Sequence, residues 1–202
     1  MKAILGSLLC YILFIAQCFA IKGGPQYPVG SASITGTYSG VLQPNFDPTD
    51  PFSANSLGVF TLGIPTDGAS TGTFLMFARG RIFGGSIQGV ANPNTGTLTA
   101  LIFGTFNYTL EFIDGAGMLQ TLPVTASVTG ALNARVTSTS NTFSSSSAVL
   151  TGAATAFISN GGVQQNGDPT LDGSLSLTVM GFKQSDTAAA SGTLTPPTGT
   201  GG

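Results

Sequence analysis

Histidine and tryptophan are absent from this 202-residue chain, and cysteine occurs only twice, at Cys10 and Cys18. Without histidine there is no Ser-His-Asp triad, and the chain lacks the commonest acid/base group and the commonest transition-metal ligand. Both cysteines lie in the first twenty residues, a segment that we expect to be removed. The sequence therefore predicts no disulfide, metal site or cofactor in the mature chain.

Charge is also scarce. Charged residues make up 7% of the chain, with six Lys or Arg against eight Asp or Glu. The cations are scattered, so no stretch supplies the basic surface that neutralises phosphates, and we predict that nucleic acid is not a partner. Surface polarity must come instead from Ser, Thr, Asn and Gln.

The first twenty residues, MKAILGSLLCYILFIAQCFA, have the pattern of a secretory signal peptide. Lys2 precedes an apolar run from Ala3 to Ile15, which is shorter than the roughly 20 residues that a membrane-spanning helix needs. We predict cleavage after Ala20 and a secreted, periplasmic or extracellular protein. We also predict no membrane insertion of the mature chain.

From Ser31 onward the dominant pattern has a period of two residues, which is typical of β-strands. One face of the first strand combines large apolar residues with glycine, and the other face carries hydroxyl groups. The first face holds Ile34, Gly36, Tyr38, Gly40 and Leu42, and the second holds Thr35, Thr37 and Ser39. The pattern predicts about nine such strands, which are separated by clusters of turn-forming residues. They are 31–44, 57–64, 71–80, 81–92, 97–113, 118–130, 131–142, 150–158 and 171–182.

The recurrent large-glycine-large pattern favours a single-domain antiparallel β-barrel of about eight or nine strands, because a small barrel must fit side chains into a narrow interior. A β-sandwich is the alternative. We divide the chain into a signal peptide (1–20), an N-terminal extension (21–30), an all-β domain (31–184) and a flexible Gly/Thr/Pro tail (185–202).

Acidic residues are the remaining candidates for catalysis or metal binding. We interpret Glu111 and Asp114 as charges at a strand end beside a turn, rather than as a glycosidase pair. The run Asn166, Asp168 and Asp172 lacks the glutamate that closes an EF-hand, and it indicates an Asx-rich turn. Asp47 and Asp50 lie between prolines in a similar turn sequence. The sequence therefore predicts no catalytic, cofactor-binding or metal-binding residues.

These observations favour an exported, non-enzymatic β-domain of a surface, matrix or binding type. One alternative is a carrier that holds a small apolar ligand in a barrel cavity, since glycines could leave such a space. An outer-membrane β-barrel has the same alternation with its faces exchanged. A carboxylate-dependent enzyme acting on glycans is the last alternative, and a glycan or a small apolar molecule is the expected ligand class.

Overall fold

The computed structural model describes residues 34–45, 56–78, 81–138, 148–160 and 172–188. Those residues form eight β-strands. They are β1 (Gly36–Pro44), β2 (Leu57–Ile64), β3 (Ala69–Ala78), β4 (Arg81–Ala91), β5 (Thr97–Ile113), β6 (Leu119–Ser138), β7 (Ala148–Ser159) and β8 (Gly173–Ser185). No helix among them is long and apolar enough to cross a membrane. The predicted signal peptide and N-terminal extension, and the tail from 189 onward, lie outside the described residues.

The eight strands form a closed antiparallel barrel in which each strand pairs with the next and β8 pairs with β1. The prediction of an all-β barrel is confirmed. Eight strands enclose an interior just wide enough for side chains to fill. A β-bulge closes the ladder between β1 and β8, where Tyr38 pairs with Lys183 but Thr37 pairs with Ser185, so that Gln184 is the additional residue.

Two segments that we predicted as separate strands, 118–130 and 131–142, form one strand, β6, through Ser138. The physical reason is that the alternation stays in phase across Gly130, with Val128 before it and Leu132 after it both buried. A glycine in a strand need not end it when the neighbouring strands continue the ladder, and both β5 and β7 pair with Gly130. The strand count is therefore eight.

The inward-facing side chains form one hydrophobic core. Its largest members are almost completely buried, including Tyr38, Phe74, Phe83 and Ile87 at 1% exposure or less. Exposures this low leave no water-sized space beside those side chains. The interior of the barrel is therefore packed along its length rather than hollow.

Glycines in this core make room for two aromatic rings. Five residues on neighbouring strands pair across the barrel wall in one row, in the order Gly181, Gly40, Phe60, Phe74 and Gly85. A Cβ atom at Gly85 would lie 2.6 Å from Cε1 of Phe74, and one at Gly181 would lie 2.7 Å from Cζ of Phe60. Both distances are far below van der Waals contact, at roughly 3.5–4 Å. The two rings occupy the space that the glycines leave open.

The two ends of the barrel differ. At the short-turn end, β2 connects to β3 through 65–68 and β4 connects to β5 through 92–96. At the hairpin end, β5 and β6 extend as a two-stranded hairpin closed by residues 114–118, beyond the last pairs with β4 at Phe103 and with β7 at Ser127. The hairpin tip exposes the apolar side chains of Ile113, Met118 and Leu119.

The outer surface is also divided. On β5–β8 the exposed outward-facing positions are mostly hydroxyl or amide residues: Thr105, Asn107, Thr109, Thr125, Thr129, Asn133, Thr151, Thr155, Ser174, Ser176 and Thr178. On β2–β4 and the first half of β5, several large apolar side chains are exposed: Val59, Phe77, Ile82, Val90, Leu101 and Phe103. Most exposed outward positions of β5–β8 are therefore polar and uncharged, and the exceptions include Glu111, Arg135 and Phe157.

Candidate functional site

The most distinctive polar and aromatic cluster lies at the hairpin end, where β4 and β5 diverge. Their ladder ends at the pair Ser86 and Phe103. Beyond it, β4 continues inward through Phe83 to Arg81 and β5 continues through Phe106 to Tyr108, because alternate residues keep to the same face of a strand. We call these four residues, together with Asn160 at the end of β7, the rim cluster.

Three rings form the base of the rim cluster. The ring of Phe83 meets the ring of Phe106 edge to face, with centroids 4.3 Å apart, and Phe106 stacks on Tyr108 with centroids 5.5 Å apart. Phe83 is fully buried, whereas Phe106 and Tyr108 are half-buried. Aromatic pairs in these geometries stabilise each other beyond the area they bury. The rings therefore lead from the dry core to the open end of the barrel.

Arg81 covers the other face of the tyrosine. The central carbon of its guanidinium group lies 4.5 Å from the centroid of the Tyr108 ring, which is cation–π geometry. Arg81 is half-buried, and no carboxylate in the described part of the chain forms an ion pair with it. This contact holds the guanidinium group against the ring, and no carboxylate of the described residues pairs with its N–H donors.

Asn160 and Asp172 hold the hydroxyl side of the cluster. The side-chain amide of Asn160 donates to the Tyr108 hydroxyl at 2.8 Å, and Asn160 itself is 5% exposed. The backbone N–H of Asn160 donates to Oδ1 of Asp172 at 2.6 Å. Because the Tyr108 hydroxyl oxygen accepts from Asn160, its own proton is free to donate in another direction. The rim cluster thus presents a cation and a neutral donor side by side.

The short-turn end has its own inward-facing cation. Lys183 is 3% exposed, and its Nζ lies 2.8 Å from Oδ1 of Asp186, whose side chain is 70% exposed. Beside it, the Tyr38 hydroxyl donates to the carbonyl oxygen of Ile34 at 2.9 Å. Burial raises the pKa of the Tyr38 hydroxyl well above its usual value, and the charge of Asp186 raises it further. Lys183 and the Tyr38 hydroxyl therefore each have a partner inside the protein, whereas the buried Oγ1 of Thr35 at this end has no hydrogen-bond partner.

The acids considered from the sequence lie elsewhere. Glu111 is exposed on the outer face of β5, and Asp114 organises the β5–β6 turn by accepting from the N–H groups of Ala116 and Met118 and from the side chain of Gln120. These hydrogen bonds, that from Met118 above all, lower the pKa of Asp114. The interpretation of Asp114 as a turn residue is confirmed.

The other candidates are only partly described. Asp172 immediately precedes β8, while Asn166, Asp168, Asp47 and Asp50 lie outside the described residues. Within the described ranges, no group of three or more His, Cys, Asp or Glu side chains could hold a metal ion.

Our reading of the sequence did not single out Arg81, Tyr108 or Lys183. The sequence did contain an indication of them, because each lies two residues from a residue of an inward-facing apolar series and therefore on the same face of its strand. Arg81 precedes Phe83, Tyr108 follows Phe106, and Lys183 follows Gly181 on the face of Val179. A charged residue in phase with a core face, such as Arg81 or Lys183, therefore indicates a position near the end of the barrel interior.

No protein-family model, curated protein sequence or solved structure matches this chain.

Proposed function

We propose that this chain is an exported, non-enzymatic β-domain that acts as a binding module at a cell surface or in an extracellular matrix. The observation that carries the proposal is the packed interior, where Tyr38, Phe74 and Ile87 are at most 1% exposed. A packed interior supports recognition by the ends and the outer surface rather than by a central cavity. Export rests on the signal-peptide pattern, and the absence of enzymatic activity rests on a chain without histidine.

The polar outer face of β5–β8 supports a soluble module. A membrane-spanning barrel presents apolar residues to lipid on its strands all the way round, with aromatic girdles at both interfaces. Here the exposed outward positions of β5–β8 include Thr129, Asn133, Thr155 and Ser176. The rim cluster supports recognition at the hairpin end, because it combines aromatic surface with unmatched hydrogen-bond donors.

The proposal is tested with the exported chain purified from its own host. We expect the protein to be recovered from the extracellular fraction without detergent. Native mass spectrometry should give the mass of the polypeptide with no bound small molecule. The protein should also adsorb saturably to washed host cells or to washed extracellular matrix. A requirement for detergent would favour the membrane barrel, and a retained apolar molecule would favour the carrier. Absence of adsorption to any host fraction would overturn the binding function itself.

A further inference from the structure

We infer that the rim cluster is a binding site for a carboxylated sugar, of the uronic acid type, in which Arg81 and Tyr108 hold the carboxylate. This inference rests on the proposed binding function and specifies its ligand. It follows from three features of the cluster: the donors it offers, the way they are fixed, and the charge around them.

The donors of the cluster match a carboxylate. A guanidinium group offers two parallel N–H donors to the two oxygens of a carboxylate, and a phenol offers one O–H. Arg81 forms no ion pair with an acid of the described chain, and the Tyr108 oxygen already accepts from Asn160. Both side chains can therefore donate further hydrogen bonds, whereas neither requires another donor. An anion with several lone pairs can accept the hydrogen bonds that they offer.

The donors are held in place before a ligand arrives. The Arg81 guanidinium group lies over the Tyr108 ring, Tyr108 stacks on Phe106, and Phe106 meets the fully buried Phe83. On the other side, Asn160 is nine-tenths buried or more and fixes the Tyr108 hydroxyl at 2.8 Å. A site that is ordered in the free protein loses less entropy on binding, so such fixed donors favour recognition.

The charge of the surroundings favours a sugar over an acidic protein or a polyanion. The hairpin end also carries Glu111, Asp114 and Asp172, and the whole chain has a net charge of −2. A ligand with many negative charges would be repelled by these carboxylates. A uronic acid residue carries one carboxylate on an otherwise neutral ring, so this repulsion is limited to a single charge.

The test measures binding of the purified exported chain to methyl galacturonide, which carries a single carboxylate, and to the matching neutral methyl galactoside, by isothermal titration calorimetry at low salt. We expect the acidic sugar to bind at least about tenfold more tightly, since a charge-assisted pair contributes roughly that factor or more. Binding should weaken with added salt because the pair is only half-buried.

Three variants locate the site. Arg81→Gln should weaken the acidic sugar by about tenfold or more and leave any weak binding of the neutral sugar unchanged. Tyr108→Phe keeps the ring under Arg81 and should lose about threefold to tenfold. Arg135→Gln is the matched control, because it removes the same charge from an exposed position on the outer face of β6 toward the short-turn end. Unchanged thermal unfolding in each variant shows that folding is not the cause.

Several results would overturn the inference. Equal affinity for the acidic and neutral sugars would show that the site does not recognise the carboxylate. An equal loss of affinity in Arg81→Gln and Arg135→Gln would show that the effect arises from the overall charge of the protein. Binding of a glutamate-rich peptide at Arg81 in preference to the acidic sugar would assign the site to a protein partner. If no sugar binds while adsorption to host matrix persists, this inference fails and the proposed binding function stands. If adsorption is also absent, both fail.

Discussion

The two ends of the barrel each bring one cation and one tyrosine to the inward face, but they use them differently. At the short-turn end, Lys183 is buried and paired with Asp186, and the Tyr38 hydroxyl donates to a backbone carbonyl. At the hairpin end, Arg81 and Tyr108 are half-buried, and Arg81 is matched to a ring rather than to an acid. At the short-turn end the cation and the tyrosine hydroxyl thus have partners within the protein, although the buried Oγ1 of Thr35 has none, whereas at the hairpin end no described carboxylate pairs with Arg81.

The difference between the ends shows two ways in which a barrel with few charges accommodates an inward-facing cation. Among the described residues, the cations are Arg81, Arg135 and Lys183, and only Arg135 lies on the outer face. Burying a charge is costly unless it is paired, so Lys183 requires its partner. Arg81 avoids much of that cost by remaining half in solvent. The hairpin end can therefore exchange water for a ligand at a smaller cost than the short-turn end.

Truncating the tyrosine at each end should give the largest contrast. Tyr38→Ala removes a fully buried ring and should lower the free energy of unfolding by about 3–5 kcal/mol. Tyr108→Ala removes a half-buried ring that lies between Phe106 and Arg81 and accepts a hydrogen bond from Asn160, and it should cost less, about 1–3 kcal/mol. Urea denaturation of both variants at an unchanged m-value measures the difference. Equal costs would contradict the division between the two ends.

Glycines at the two ends should behave in opposite ways. A Cβ atom at Gly36 would lie 2.5 Å from Cε of Lys183 and would also meet the carbonyl oxygen of Ser185, whereas a Cβ atom at Gly115 meets nothing within 4 Å. We expect Gly36→Ala to cost about 1–3 kcal/mol, because φ at Gly36 is +153°, which side-chain-bearing residues rarely adopt, and because the backbone carbonyl of Ser185 must shift as well as the Lys183 side chain. Gly115→Ala in the hairpin turn should stay within about 0.5 kcal/mol. Thermal unfolding compares them, and a neutral Gly36→Ala would show that the backbone of β1 and β8 adjusts at this position without cost, which would contradict the expected difference between the two ends.

The barrel fold was predictable from the sequence because alternation is a local property. The inward faces assigned from spacing, such as Ile34 to Leu42 in the first strand, are buried in the structure. The strand count was less certain because Gly130 resembles a break when read alone. It lies between two paired neighbours, and that ladder spans residues far apart in the chain.

The rim cluster was not predictable as a cluster. Arg81 and Tyr108 come from different strands, and Asn160 comes from the far side of β6. Their proximity depends on the register of each strand pair and on the closure of the barrel, which no local pattern encodes. The sequence does contain the phase of each side chain, so it could indicate that Arg81, Tyr108 and Lys183 face inward but not which of them meet.

The ion pair at the short-turn end should show an asymmetry between its partners. Asp186→Ala leaves the buried ammonium group of Lys183 without this carboxylate and should cost about 1–2 kcal/mol, a value reduced because Asp186 is exposed. Lys183→Met keeps an unbranched side chain of similar length, and Asp186 then faces water. We expect that variant to lose less than about 1 kcal/mol. Chemical denaturation ranks the two, and a larger loss in Lys183→Met would mean that the charge of Lys183 itself stabilises this end.

Acid should loosen the hairpin tip before it affects the barrel. Hydrogen bonds from Met118, Gln120 and Ala116 lower the pKa of Asp114 below its unfolded value of 3.8. The contribution of a carboxyl with a lowered pKa is fully present above the unfolded value and is lost as the pH falls through the folded one. Protonation should therefore weaken the bonds from Ala116 and Met118.

Hydrogen exchange followed by NMR measures this effect at the amides of Ala116 and Met118. We expect their protection to fall as the pH is lowered below about 4, while core amides such as those of Ile87 and Val128 keep theirs after correction for the intrinsic rate. Asp114→Asn is the matched control, because its side chain retains an oxygen acceptor and cannot titrate in this range. If the core amides lose protection first, the hairpin is no less stable than the barrel, and the contrast between the ends does not extend to their dynamics.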